Sequence, residues 1–476
     1  MAVLASRGTR DLLKNHRWLH WLLHRRWLQF ALVLPTLLGF VLVILAGLFG
    51  TPLGAKNLAI VFVWIVWWAL LICLLVPFGA RVWCLACPIP APGEWLSRLS
   101  FIRWGTQKLG LGRRWPRSLR NLWPATLGFL AIALFSAVVT TRPAVTGWVL
   151  LGLVVVAIIT HLVFERRAFC RYLCPVGGFL GLYSMAAPVE LRRRDAETCL
   201  QCQFKSCYRG STPASLAVGG EGGYPCPMSE FPGAPMERNN YCIMCTECIK
   251  ACPYDNITVN VRPFGQDLYV PRGRKLDEAF KGFVMLGSAL AYSLIMLGPY
   301  GWLKDWANLS SIPEFLGYAA IFLGTTLVAG PLIHLGVSWL MRLAATGQGR
   351  GGVSLRRVFI DTAYTLVPLG LLAWVAFSIS FVLPNISYAA AVLSDPFGWG
   401  WDLFGTRDVP WQPIVAGWIP YLQIPILLVG LAWSLRAGLR ILGQVFEEKP
   451  AAMRAGLVLA VYLTALTGAF LRFYLG

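Results

Sequence analysis

Apolar runs of about 20 residues recur along the chain, and they limit what it can fold into more than any other feature. Each can cross about 30 Å of hydrocarbon as a helix rising about 1.5 Å per residue. Nine spans are expected, at about 30–49, 58–79, 122–141, 144–164, 281–300, 315–340, 358–383, 414–435 and 455–475. Composition agrees, because 57% of the 476 residues are hydrophobic and only 13% charged, whereas soluble domains carry nearer a quarter charged. The expected fold is an all-α polytopic membrane protein.

The net charge of +20 would suit nucleic acid if it formed a patch, but it follows topology instead. With the N-terminus inside, the cytoplasmic segments are 1–29, 80–121, 165–280, 341–357 and 436–454. Only Lys56, Arg142, Lys304, Arg407 and Arg472 then fall on the other side. This positive-inside bias sets the expected orientation loop by loop. It removes nucleic acid as a partner and puts the C-terminus outside the cell's inner (plasma) membrane. Residues 1–29 contain no short apolar core and no small-residue cleavage site, so no removable signal peptide is expected.

Eight of the thirteen cysteines lie between Cys199 and Pro253. The second half of this stretch reads Cys242-x2-Cys245-x2-Cys248-x3-Cys252-Pro253, the run by which one chain wraps iron–sulfur clusters. In that pattern the fourth cysteine ligates the neighbouring cluster. The first half is a looser copy, Cys199-x2-Cys202-x4-Cys207, followed by Cys226-Pro227 after a loop with Gly219, Gly220, Gly222 and Gly223. Cross-ligation assigns Cys199, Cys202, Cys207 and Cys252 to one [4Fe-4S] cluster. The other falls to Cys242, Cys245, Cys248 and Cys226. Paired C-x2-C motifs also hold zinc, and a disulfide framework is a third reading that needs an oxidising compartment. Two iron–sulfur clusters are preferred, in a cytoplasmic ferredoxin-like α+β domain inserted between spans four and five. The domain plan is an interfacial N-terminal helix (1–29), a four-helix membrane domain (30–190), the ferredoxin-like domain (191–280) and a five-helix membrane domain (281–476).

A repeat lies in the first half of the chain. Phe78-x2-Arg81-x-Trp83-Cys84-x2-Cys87-Pro88 follows span two, and Phe164-x2-Arg167-x-Phe169-Cys170-x3-Cys174-Pro175 follows span four. Spans one to four are thus two hairpins of one orientation. Cys84, Cys87, Cys170 and Cys174 could hold a third cluster or another metal, act as redox dithiols, or brace tight turns. Cys73 is expected to be a small buried hydrophobe.

Other candidates are weaker. His16, His20 and His24 share one face of a helix rich in Trp and Leu; the wet face of an interfacial helix is preferred over metal binding or proton carriage. His161 and His334 could contact a quinone, and haem b is the lesser expectation. Trp399, Trp401 and Trp411, with Asp395, Asp402 and Asp408, mark an outer loop at the membrane interface or a docking surface. Gly347-Gln-Gly349-Arg-Gly-Gly352 follows no strand and is expected to be a flexible basic loop rather than a dinucleotide site. No G-K-[ST], H-E-x-x-H or G-x-S-x-G occurs, which argues against ATP-driven transport and common hydrolytic chemistry.

Residues 60–262 resemble the membrane polyferredoxin family, which includes NapH-type, NosR-type and CcoG-type proteins. The resemblance rests on the two C-x2/3-C-P turns and the following ferredoxin-like segment, with Cys170-Arg-Tyr-Leu-Cys174-Pro-Val-Gly especially close. The first turn departs from it by having x2 in place of x3, and so does the stretched Cys202–Cys207 spacing. The resemblance implies electron transfer between the quinone pool or a cytoplasmic donor and a partner redox protein in a respiratory complex. The expected role is that of an electron-transfer subunit, with no terminal catalytic site. The alternatives are a CcoG-like metal-reducing assembly factor and an iron–sulfur redox sensor.

Overall fold

The computed structural model describes residues 9–102, 105, 108–216, 221–234, 236, 238–296, 301–345 and 353–475. The glycine pair at 219–220 and the glycine-rich loop at 347–352 lie outside them. Eight helices among the described residues are long and apolar enough to cross a membrane. They are Trp27–Phe49, Leu58–Gly79, Pro143–Val163, Leu276–Ile295, Ile312–Ala345, Leu355–Val382, Ala416–Val445 and Lys449–Tyr474. The stretch expected as a span at 122–141 is the helix Trp123–Leu134, a break at Phe135 and a short helix Ser136–Val139. Phe135 adopts φ −90° and ψ 16°, off the helical well, so the first piece reaches only about 18 Å.

The chain forms two compact units, each drawing on several stretches. The first comprises Met1–Leu42, Leu75–Ala125 and Val149–Asp267. It holds a three-stranded antiparallel sheet in the order β1 (Arg10–Asp11), β3 (Ile257–Val261), β2 (Val189–Arg193). Strands β2 and β3 bracket the cysteine-rich segment and pair from Val189↔Val261 to Arg193↔Ile257. The sheet therefore ties together the two ends of a long, irregular loop. In β3, Ile257 and Val259 face one way at the strand period of two. They join Leu13, Leu191, Met244, Ile249, Cys207 and Cys248 in one apolar cluster.

The N-terminal helix Arg17–His24 departs from the interfacial expectation. Leu19 and Leu23 pack against that cluster, so this part of its apolar face is covered by protein, while Trp18 and Trp21 stay exposed. Strand β1 was not foreseen, since two residues paired to β3 across some 250 positions leave no periodic signal.

The second unit comprises Val43–Leu74, Thr126–Trp148 and Leu268–Gly476. Its helices Leu276–Ile295 and Leu355–Val382 are 72% and 78% buried over their apolar windows, against 22% for Ile312–Ala345. The first two are thus the centre of the bundle. The third presents Val328, Leu332 and Ile333 outward, as a lipid-facing helix does. In the tryptophan loop, Asp395 accepts the N–H groups of Trp399 and Gly400, and Asp402 accepts the Ser394 hydroxyl. These two carboxylates hold the loop's own shape.

Candidate metal centres

Two partly open cavities lie in the cysteine-rich segment. Cys199, Cys202, Cys207 and Cys252 line the first, and Cys226, Cys242, Cys245 and Cys248 line the second. These are the two quartets expected from spacing and cross-ligation. None of the thirteen cysteines forms a disulfide. Four thiolates at about 2.3 Å from zinc would bring their sulfurs to about 3.8 Å from one another. Among the described residues no three cysteine sulfurs lie mutually within 4.8 Å. The quartets are therefore more open than a zinc tetrahedron, as the larger four-iron cubane requires.

Local backbone turns bring the sulfurs inward. Met244 and Thr246 flank Cys245 at φ 55° and 62°, and Lys205 lies between Cys202 and Cys207 at φ 51°. Each such left-handed, non-glycine residue costs about 1–2 kcal/mol, and strain of this kind gathers at functional sites. Amide donors reach the first quartet: Asn256 Nδ2 donates to Cys199 Sγ at 3.2 Å, its backbone N–H to Cys252 Sγ at 3.3 Å, and the Lys205 N–H to Cys202 Sγ at 3.4 Å.

Burial pushes up the thiols of Cys199, Cys207, Cys226, Cys242, Cys245, Cys248 and Cys252, to about 12 for Cys207 and Cys245 and well above the usual range for Cys248. Such thiols ionise only when a cation takes the place of the proton. Beside the second quartet, burial would raise the Glu247 carboxyl, but Lys250, Arg26 and Arg98 hold it down to about 2. Glu247 accepts the Tyr224 N–H at 2.8 Å and pairs with Arg26 at 3.2 Å.

The hairpin cysteines form a third group. Cys84 and Cys170 pack with Cys226 against Met228, Ile243 and Cys245, beside the second cavity. Cys84, Cys170 and Cys174 all act electrostatically on Cys87, and burial raises Cys174 to about 11. The unequal spacing of the two copies has a structural answer. Cys170 sits in a π-helical turn, Phe169–Leu173, closed by the Cys174 N–H on the Phe169 carbonyl at 2.8 Å. The wider turn absorbs the extra residue, and Cys87 and Cys174 reach the same extended backbone, φ −65° and −62°, ahead of their prolines.

The repeat's arginines are both buried. Arg167 forks onto Glu94, with Nε–Oε1 at 3.0 Å, and Arg98 reaches the same carboxylate at 2.6 Å. Arg81, 1% exposed, donates from Nη1 to the Asn240 carbonyl at 3.2 Å. Its Nε and Nη2 have no hydrogen-bond partner, and it acts electrostatically on Cys170 and Cys174. Hydrogen-bond partners 73 and 159 residues apart cannot be read from spacing. The equal offset of Arg81 and Arg167 before their cysteines was the available signal.

The two membrane histidines belong to different units. His161 Nδ1 bonds the Ala157 carbonyl at 2.7 Å. His334 Nε2 meets the Phe359 carbonyl at 3.2 Å and the Thr362 hydroxyl at 3.1 Å, with its ring among Phe283, Phe359 and Tyr462. Each is anchored within its own unit.

A 4Fe-4S binding domain matches residues 60–111 and 146–194, the second span of each hairpin with the cysteine turn that follows it. YccM of Escherichia coli (strain K12), whose name provisionally assigns it to electron transport, is 28% identical over 156 residues, or 32% of this chain and 36% of its own. The methylamine utilization ferredoxin-type protein MauN of Paracoccus denitrificans (strain Pd 1222) is 29% identical over 146 residues, or 27% of this chain and 48% of its own. The chain thus spans between about a third and half the length of these curated relatives. No solved structure matches it. With its 4Fe-4S domain and its kinship to ferredoxin-type electron transport proteins, the chain fits a membrane polyferredoxin-like family.

Proposed function

We propose that this chain is a membrane electron-transfer subunit. It would carry electrons through two [4Fe-4S] clusters between the quinone pool or a cytoplasmic donor and a partner redox protein. Cys199, Cys202, Cys207 and Cys252 hold one cluster, and Cys226, Cys242, Cys245 and Cys248 the other. A cubane held by four thiolates exchanges one electron at a time, at a potential set by hydrogen bonds to sulfur and by solvent access. The observation that carries this reading is the pair of four-cysteine cavities, each more open than a zinc tetrahedron. The positive-inside distribution of Lys and Arg supports a cytoplasmic iron–sulfur region in the inner membrane.

A second reading adds a third cluster on Cys84, Cys87, Cys170 and Cys174. It is favoured by the two unpartnered N–H sites of buried Arg81 beside these thiols, since a buried cation calls for an anion and a thiolate-bound cluster supplies one. Iron and acid-labile sulfide per chain, with EPR of the reduced protein, decide both readings. About eight irons per chain is the two-cluster result and about twelve the three-cluster result. Iron-free, zinc-loaded protein would refute both. Stable co-purification with an oxidoreductase would favour the subunit role over a transient assembly factor.

A further inference from the structure

One cluster of metal-type ligands lies outside the cysteine sites. Among the described residues, His20, His24 and Asp255 bring their ligand atoms mutually within 4.8 Å. All three belong to the first unit. His20 and His24 stand one turn apart on the N-terminal helix, with ring centroids 4.2 Å apart. Asp255 stands three residues after Cys252 at φ 49°, its N–H on the Cys252 carbonyl at 3.4 Å. His20 Nε2 lies 2.9 Å from Asp255 Oδ2, and His24 Nε2 lies 3.4 Å from Oδ1.

The tautomer of His24 is what makes this arrangement informative. His24 Nδ1 is 2.7 Å from the His20 carbonyl, so Nδ1 carries the proton and donates it. In the neutral ring Nε2 is then a lone pair, and it faces Asp255 Oδ1, a buried oxygen with no hydrogen-bond partner. Two lone pairs turned on each other require a positive centre between them: a proton in the metal-free protein, which pairs an imidazolium with the carboxylate, or a metal ion in its place. A ring nitrogen that donates to a backbone carbonyl while the other nitrogen faces a ligand position is the arrangement found around metal-bound histidine. Arg194 Nη1 occupies Oδ2 at 2.9 Å, and Oδ1 faces His24 Nε2. Lys250, the other cation acting on His24, is engaged with the Thr246 hydroxyl at 2.8 Å.

We propose that His20, His24 and Asp255 form a mononuclear site for a divalent transition-metal cation, separate from the cysteine quartets. Two imidazoles and one carboxylate suit Zn²⁺, Fe²⁺ or Co²⁺ and exclude the oxygen-only preference of Mg²⁺ and Ca²⁺. Three protein ligands leave further positions to water. Binding displaces the protons the imidazoles share with the carboxylate and clamps the N-terminal helix onto the turn that follows Cys252.

The test uses the full-length protein in detergent, purified without oxygen, freed of loosely held metal by a mild chelator, and titrated with Co²⁺ by equilibrium dialysis. One cobalt per chain is expected beyond the iron already present. His24→Gln and Asp255→Asn should each weaken binding at least tenfold with iron and sulfide per chain unchanged, whereas His16→Gln leaves it unchanged. No stoichiometric cobalt on the wild-type chain at tens of micromolar free Co²⁺ overturns the proposal. So does cobalt that survives the combined His20→Gln and Asp255→Asn substitution. Because iron is counted in the same samples, failure of this site is distinguishable from failure of the cysteine sites.

Discussion

At Arg81, a fully buried guanidinium with two open N–H sites beside four thiols, the sign of a single substitution carries information. Replacing an unmatched buried charge with an apolar group of similar length is neutral or stabilising, whereas removing one partner of a matched pair costs about 3–5 kcal/mol. Arg81→Met is therefore expected to destabilise the anaerobically purified protein and lower its iron by about four per chain, if a cluster is bound by the hairpin quartet. A rise in melting temperature with iron unchanged would leave that quartet without an anionic occupant. The Arg167–Glu94 pair makes a pH prediction. Burial alone would raise the Glu94 carboxyl, but Arg167 and Arg98 hold it down to about 2. A carboxyl depressed on folding stabilises fully above its ordinary value of 4.5 and loses that contribution as pH falls towards about 2. Loss of stability through that window is expected by tryptophan fluorescence, and Glu94→Gln should flatten it while costing about 3 kcal/mol at neutral pH. Neither contact was readable in advance. The grouping of eight cysteines around two cavities was, because their order along the chain is local and the cross-ligation pattern pairs it. An arginine's partner 73 residues away follows from tertiary packing alone.

At the scale of elements, the N-terminal arm is part of the cluster-bearing fold. Strand β1 closes the free edge of β3 through Arg10↔Val261 and Asp11↔Asn260, and Leu13, 2% exposed, lies in the cluster that contains Cys207 and Cys248. Leu13→Ala should cost about 2–5 kcal/mol. Since those two sulfurs line different cavities, the visible absorbance of clusters held in both is expected to bleach faster in air than in wild type, if each quartet binds one as proposed. Bleaching at the wild-type rate would mean the arm shields neither. Sequence periodicity marked the helix Arg17–His24, but not the surface it covers. Trp18, Trp21 and Trp27 suggested a membrane interface, while Leu19 and Leu23 pack against the apolar cluster that contains Leu191, Ile249 and Val259. The span expected at 122–141 is interrupted where the sequence gives no sign of it. Hydropathy runs smoothly through Phe135, where the backbone does not.

Across the first unit, the three cysteine groups stand in sequence. The hairpin quartet follows the apolar helices Leu58–Gly79 and Pro143–Val163. Cys84 and Cys170 pack with Cys245 of the second cavity, and Cys248 of that cavity shares an apolar cluster with Cys207 of the first. The first cavity is the more exposed end, with Leu200 and Tyr254 bare beside it. If this order is the electron path, the second quartet is its indispensable middle. Cys226→Ser is the variant of choice, because Cys226 lies on the long loop outside the tight four-cysteine run and its loss disturbs the sheet least. In proteoliposomes a membrane-soluble quinol should still reduce whatever the hairpins hold but no longer reach the first cluster. Dithionite added from the exposed side should reduce that cluster as before. Iron falling by about four per chain would show that one cluster had been removed. Quinol reduction of the first cluster at the wild-type rate in that material would exclude this order. Electrons would then enter by a route that bypasses the hairpin turns.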